Sequence, residues 1–434
     1  MFLFHFSQFP ISLKSIGNGV VLISGFLILN GCQSSSSISG RNMNYLYEPI
    51  TANDITVQYK VWKDASGDVK LIWKIPAEML SEKMDERGQL SRGVSFRYKI
   101  FYNYSESIAL DSGVSIVSNL GVSQSGFFID TIDLSISEKR RHVVDIKCKD
   151  LNSTHDNIQF ADVDLSKAFS AINSIFYLND GQVNFDSYVS QPGDYEIDFS
   201  SSKSLLYVKY YQREFVLASA PFAVVNPKPF NFKPDQKQVI ERNESGRFVL
   251  PMHQYGLYQV SEDSTGNEGP SFHFFNQHYP QPRQIEDLLY PLRYITTTDE
   301  YRDLNAGEDL KKNVDSYWLK VAGSSSRAKE LIRAYYSRVA QANSFFSSYL
   351  EGWKSDRGMC YIVYGKPDAV YRSTSSETWI YGEKGMSSSL SLTFTKVANP
   401  FTANDFRLNR SNSLKSAWYR AVEFWRQGRI ITYK

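Results

Sequence analysis

The sequence is poor in the residues that carry most catalytic and metal chemistry. Only 3 cysteines and 6 histidines occur in 434 residues. His273 and His278 lie close together, with Glu268 as the nearest carboxylate and no cysteine beside them, which does not match the usual zinc spacings. There is no glycine-rich phosphate loop and no G-x-S-x-G nucleophile elbow, so nucleotide and α/β-hydrolase chemistry lack sequence support. Charge of one sign is lacking as well. The net charge of +2 gives no overall reason to expect nucleic acid as a partner. Cofactor and metal are therefore both expected to be none.

Cysteine scarcity also excludes a disulfide framework. Beyond Cys32 only Cys148 and Cys360 remain, far apart and on predicted strands of different domains, and they read as two buried thiols. His142 precedes Cys148 by six residues, roughly 20 Å along an extended strand, too far to activate it.

What is present is globular, β-rich material. Hydrophobic residues make up 42% and charged residues 22%, as in a folded chain. The 28 Tyr and 28 Phe favour strands. The charge is unevenly placed. Residues 327–434 hold 17 Lys/Arg and 8 Asp/Glu, a net +9, on an otherwise acidic body.

The first 31 residues read as a targeting segment. Lys14 precedes an apolar run from Gly19 to Leu29, too short and wrongly flanked for a mature membrane helix. The run ends Leu29-Asn30-Gly31-Cys32, which resembles a bacterial lipobox with Cys32 as the lipidated residue. A Ser-rich tether is expected over 32–42. Surface-exposed lipoproteins of Bacteroidetes carry acidic residues after this cysteine. Residues 33–41 have none, so the resemblance implies the outer membrane with the chain facing the periplasm.

From 43 to 165 the pattern is period-2. Ile55 to Trp62, Val69 to Ile75, Val94 to Tyr102, Phe127 to Ile129 and Val143 to Cys148 alternate between turn clusters, which predicts a β-sandwich. A second β-domain is predicted over 172–282, with strands at Phe176-Tyr177, Pro192 to Phe199, Leu205 to Tyr211, Phe248 to Leu250, Tyr258 to Val260 and Phe272 to Phe275. The two-proline piece Val225 to Phe230 reads as extended loop or sheet edge. From 283 the period becomes helical. Thr296 to Tyr301 is a capped helix start, Val314 to Val321 carries an apolar stripe, and Leu331 to Phe346 is the clearest helix in the chain. Met359 to Tyr364, apolar on both alternate sets, reads as a central strand. Strands follow at Ala369 to Arg372, Glu377 to Tyr381 and Leu390 to Thr395, then a helix over Leu414 to Gln427. The architecture is thus multidomain: two N-terminal β-sandwich-like domains, then a C-terminal α+β domain over 283–434 with an antiparallel sheet packed by helices.

Between the best helix and the strand predicted after it lies Gly352-Trp353-Lys354-Ser355-Asp356-Arg357-Gly358. Gly352 reads as a helix stop, Trp353 as an apolar plug, Asp356 as a turn carboxylate or ion-pair partner of Arg357 or a more distant cation, and Gly358 as a sharp chain entry. The run continues through Tyr364-Gly365-Lys366-Pro367-Asp368 to Glu377-Thr378-Trp379-Ile380-Tyr381. Preceded by Tyr335 to Asn343, it resembles the GWxTD domain of bacterial envelope proteins. Ser355 stands where the family name has Thr and keeps the hydroxyl. The resemblance brings no catalytic residue with it.

Three functions come into question. The favoured expectation is a non-catalytic, lipid-anchored envelope protein that binds protein partners in envelope assembly or secretion. Its alternative is a glycan- or peptidoglycan-binding module, with Tyr207, Tyr210 and Tyr211 as an aromatic platform. A hydrolase centred on Asp356 has no supporting constellation. The functional surface is expected on basic faces around the motif.

Overall fold

The alternating runs fold as the period-2 pattern requires, with one set of side chains turned into a core. In a computed structural model, residues 37–48, 55–84, 88, 90–120, 126–166, 170–213, 216–224, 231–383 and 389–430 are described. The leader, Cys32 and the two-proline piece at 225–230 lie outside them.

The first region holds β1 (Gln58–Lys63), β2 (Val69–Pro76), β3 (Lys83–Met84), β4 (Leu90–Phe101), β5 (Asp111–Leu120), β6 (Phe127–Leu134), β7 (Arg141–Asp150) and β8 (Asp156–Asp164). One sheet runs β1-β2-β6; the other runs β3-β4-β7-β8, with β5 paired to β4. Leu71, Trp73 and Ile75 from β2 meet Val94 and Phe96 from β4 and Ile146 and Cys148 from β7 in one core. Strands β5 and β8 were not anticipated.

The second region has β9 (Ser174–Tyr177), β10 (Tyr188–Val189), β11 (Gly193–Phe199), β12 (Leu205–Tyr211), β13 (Gln236–Glu241), β14 (Phe248–Met252), β15 (Gly256–Ser261) and β16 (Ser271–Phe274). Its sheets run β10-β16-β15-β12-β13 and β14-β11-β9. Phe176 and Phe272 stack between them with ring centroids 4.5 Å apart.

The C-terminal region places helices on a sheet. It comprises α1 (Ile285–Leu289), α2 (Thr298–Leu304), α3 (Leu310–Ala322), α4 (Ser325–Phe346), α5 (Asp356–Tyr364), the antiparallel sheet β17 (Ala369–Arg372), β18 (Ser376–Tyr381), β19 (Leu390–Lys396) and β20 (Phe406–Leu408), and α6 (Lys415–Arg426). The capped start is as read: Thr297 accepts from the Glu300 backbone, and Glu300 closes the capping box.

Two expectations are corrected here. Met359 to Tyr364 is helix α5, not a strand, and Cys360 sits on it. Every one of its nine residues is buried, so no polar face survives to reveal a helical period. The expected tether over 32–42 is bound in its described part. Ile38 and Met43 are fully buried in the same core as α4, α5 and β18. The Ser39 amide donates to the Tyr104 carbonyl at 2.7 Å, and the Met43 amide to the Val370 carbonyl at 2.8 Å. Residues 38–47 thus belong to the C-terminal core, and Phe101, Tyr104 and Val143 of the first sandwich join it.

Candidate functional site

The motif is built on close backbone approach. A Cβ on Gly352 would stand 1.9 Å from the Ala342 carbonyl oxygen of α4, and one on Gly358 would stand 1.9 Å from the Gly352 oxygen. The two glycines therefore let α4, the 3₁₀ turn at Gly352–Lys354 and the first turn of α5 stack backbone on backbone. Gly352 does not end α4, which stops at Phe346. Asn343 locks the stack: its Oδ1 accepts the Trp353 amide at 3.0 Å and its Nδ2 donates to the Pro280 carbonyl at 3.0 Å. Trp353 is the expected plug, buried, with its carbonyl accepting from Tyr294 Oη at 3.0 Å. Ser355 caps α5. Its Oγ accepts from the Gly358 amide at 3.0 Å and donates to the Gly352 carbonyl at 2.7 Å, a role that needs a hydroxyl and is equally open to Thr.

Asp356 and Arg357 point apart. The Asp356 Oδ2 accepts from the Leu408 amide at 2.7 Å and from Arg410 Nη1 at 2.9 Å, while Oδ1 accepts from Arg410 Nη2 at 2.6 Å. Both oxygens are thus engaged in a bidentate pair with one backbone donor. Arg357 runs inward between the rings of Phe346 and Phe406, 5.1 and 4.2 Å from their centroids. Its Nη2 donates to the Asn404 carbonyl at 3.0 Å, and its Nη1 lies 3.5 Å from Glu377 Oε2.

Glu377 is the hub that sequence reading missed. It is 0% exposed and accepts from Tyr47 Oη and Trp379 Nε1, both at 2.5 Å, and from Arg372 Nε at 2.8 Å. Burial alone would raise its carboxyl, but Arg372 and then Arg357, with hydrogen bonds from Tyr47 and Trp379, outweigh burial and hold it below the ordinary range. Burial pushes the Tyr47 hydroxyl up to about 12. The sequence signal was a charged residue two before Trp379 on a strand that ends in Trp379-Ile380-Tyr381.

The remaining motif residues close the far end of α5. Gly365 has φ +89, a left-handed value cheap only for glycine, and its carbonyl accepts from Tyr381 Oη at 2.9 Å. Tyr364 packs on Tyr381 and Trp418. Pro367 is buried in the turn, and the Asp368 carbonyl accepts from the Asn42 and Asn44 side chains at 3.1 and 2.8 Å. Arg338 Nη1 meets the Ile362 and Val363 carbonyls, 3.2 and 3.3 Å away, at the C-terminus of α5.

Above this network lies a cleft of about 230 Å³ lined by Tyr104, Asp162, Arg372, Lys396, Thr402 and Phe406 among others. A larger one, about 350 Å³, lies among α2, α3 and α6, where Glu300 pairs with Arg426 through two hydrogen bonds. The tyrosines proposed as a glycan platform do not form one. Tyr210 and Tyr211 are buried and donate to the Tyr255 and Phe232 carbonyls; Tyr207 alone is half-buried. Burial raises both the Cys148 and Cys360 thiols. Among the described residues no cluster of three or more His, Cys, Asp or Glu is placed to hold a metal.

Comparison with known proteins adds one assignment. No curated protein matches the chain. Among solved structures, red sea bream transglutaminase is similar at 11% identity and a TM-score of 0.18, over 49% of this chain and 28% of that one. Residues 256–427 match the model of the GWxTD domain, a span that opens in β15 and so takes in two strands assigned from sequence to the second β-domain. With Gly352 to Gly358 at the crossing of α4 and α5, the chain carries a GWxTD domain.

Proposed function

We propose that this chain is a cell-envelope protein, lipid-anchored at Cys32 on the periplasmic side of the outer membrane, which acts without catalysis by binding a protein partner in envelope assembly or secretion. The observation that carries this reading is the edge strand β5. Among the described residues it pairs only with β4. It exposes Val114 at 60% and Ile116 at 63%, opposite Arg97 and Ser95, with Lys99 opposite Ser112. From Ser112 to Leu120 it carries no charge, proline or lysine of the kind that normally protects an edge. An extended segment of a partner with apolar and acidic side chains would complete both the hydrogen bonding and the charge. The motif supports the reading differently, since Asp356 and Arg357 are committed to internal pairs.

Affinity purification from crosslinked membranes should recover a stoichiometric envelope protein, and Ile116→Lys should lose it. Recovery of the chain alone would count against the proposal. Cys32→Ser should move the protein out of the membrane fraction; continued tight association would refute the anchor.

A further inference from the structure

Arg372 is held on two sides and open on the third. Its Nε donates to Glu377 at 2.8 Å and its Nη2 to Tyr47 Oη at 2.7 Å. Its Nη1 has no partner among the described residues, and the side chain is 22% exposed, at the wall of the 230 Å³ cleft. Across that cleft Lys396 reaches Asp162 Oδ2 at 3.3 Å, and Tyr104 Oη donates to Asp162 Oδ1 at 3.0 Å.

Charge does not balance here. Among the described residues, Arg357, Arg372 and Lys396 form ion pairs with the carboxylates of Glu377 and Asp162, and Asp405 also acts on Arg357. The groups around them cancel, Arg410 with Asp356 and Arg41 with Asp145 through ion pairs and Arg407 with Asp405, whose carboxyl burial raises. One positive charge is therefore left in a partly dry site, where an anion gains most. Asp162, inside the same cleft, opposes a dianion such as phosphate. A volume of about 230 Å³ leaves room for a small organic body beside the rings of Tyr104 and Phe406.

We propose that this cleft, between the first β-sandwich and the C-terminal sheet, binds the carboxylate of a small organic monoanion, with Arg372 Nη1 and Lys396 Nζ as its donors. The inference is independent of the partner surface on β5. Two sources share this chemistry, a peptide C-terminus and a sugar acid, and the test separates them. Purified full-length protein is titrated calorimetrically with N-acetylalanine and with glucuronate, and with N-acetylalanine amide and glucose as neutral counterparts. Saturable binding of either acid, weakened about tenfold or more in the neutral counterpart, is the expected result. A response to N-acetylalanine alone assigns a peptide terminus, to glucuronate alone a sugar acid, and to both recognition of the carboxylate itself. Lys396→Gln, a partly exposed position, should keep the melting temperature and weaken binding about tenfold; Arg372→Gln should abolish it. No saturation by either acid, or unchanged affinity in Lys396→Gln, overturns the proposal.

Discussion

Asp356 and Arg357 are adjacent in sequence and serve two different regions. Asp356 faces outward to Arg410 and the Leu408 amide at the end of β20, and Arg410 continues to the Ser219 carbonyl at 3.0 Å. Arg357 faces inward to Glu377, which also takes Tyr47 and Arg372. The outer pair keeps contact with solvent through Arg410, whereas the inner carboxylate has none. Two adjacent charged residues at a motif therefore need not act as one functional unit. Here one member fastens a strand end and the other gathers segments more than 300 residues apart.

The largest loss is expected on the inner side. Glu377→Gln leaves the buried Arg357 and the partly exposed Arg372 without their carboxylate, and removing one partner of a buried pair costs on the order of 3–5 kcal/mol. Urea denaturation should show this loss, and a variant as stable as wild type would refute the hub. Next comes the backbone stack between the two regions. Gly358→Ala puts a methyl against the Gly352 carbonyl, which no rotamer can relieve, and should cost about 3 kcal/mol or more. The outer side should yield less. Asp356→Asn keeps the shape and loses the charge-assisted bonds to Arg410, for about 2–3 kcal/mol. If it proved costlier than Glu377→Gln, the ranking of inner over outer would fall.

How much of this was legible depended on whether the pattern or a distant partner decided the outcome. The run Leu205–Tyr211 coincides with β12, and α4 follows its apolar stripe because a half-buried helix keeps a polar face. Helix α5 was misread as a strand because it is covered all round, although Ser355 before Asp356 was a usable capping signal. The crowding of Gly352, Trp353 and Gly358 showed where the keystone lies, but not that the glycines serve backbone contact. Glu377 could not be found as a hub, since its partners Tyr47 and Arg357 are brought to it by the fold alone. Burial of Ile38 was hidden by the serines around it, and that of Met43 by Asn42 and Asn44 on either side.

The smallest effect concerns the seam between the second β-region and the motif turn, where pH separates the two. His273 on β16 is buried against the Phe275 ring, 3.6 Å between centroids. Burial first, and then the Lys354 charge, lower its pKa from 6.5 to about 3. The unfolded chain therefore binds a proton below pH 6.5 that the folded chain refuses. Stability from this group is complete above pH 6.5 and is lost as pH falls from there towards 3. Between pH 7 and pH 5 the loss is about 2 kcal/mol. His142, also lowered by burial, titrates in the same direction, so the readout is the difference between wild type and His273→Gln. The variant should show a shallower fall in unfolding free energy over that interval, whatever its stability at pH 7. Parallel curves would mean that His273 is protonated in the fold, and that the seam beside Lys354 is wetter than its burial implies.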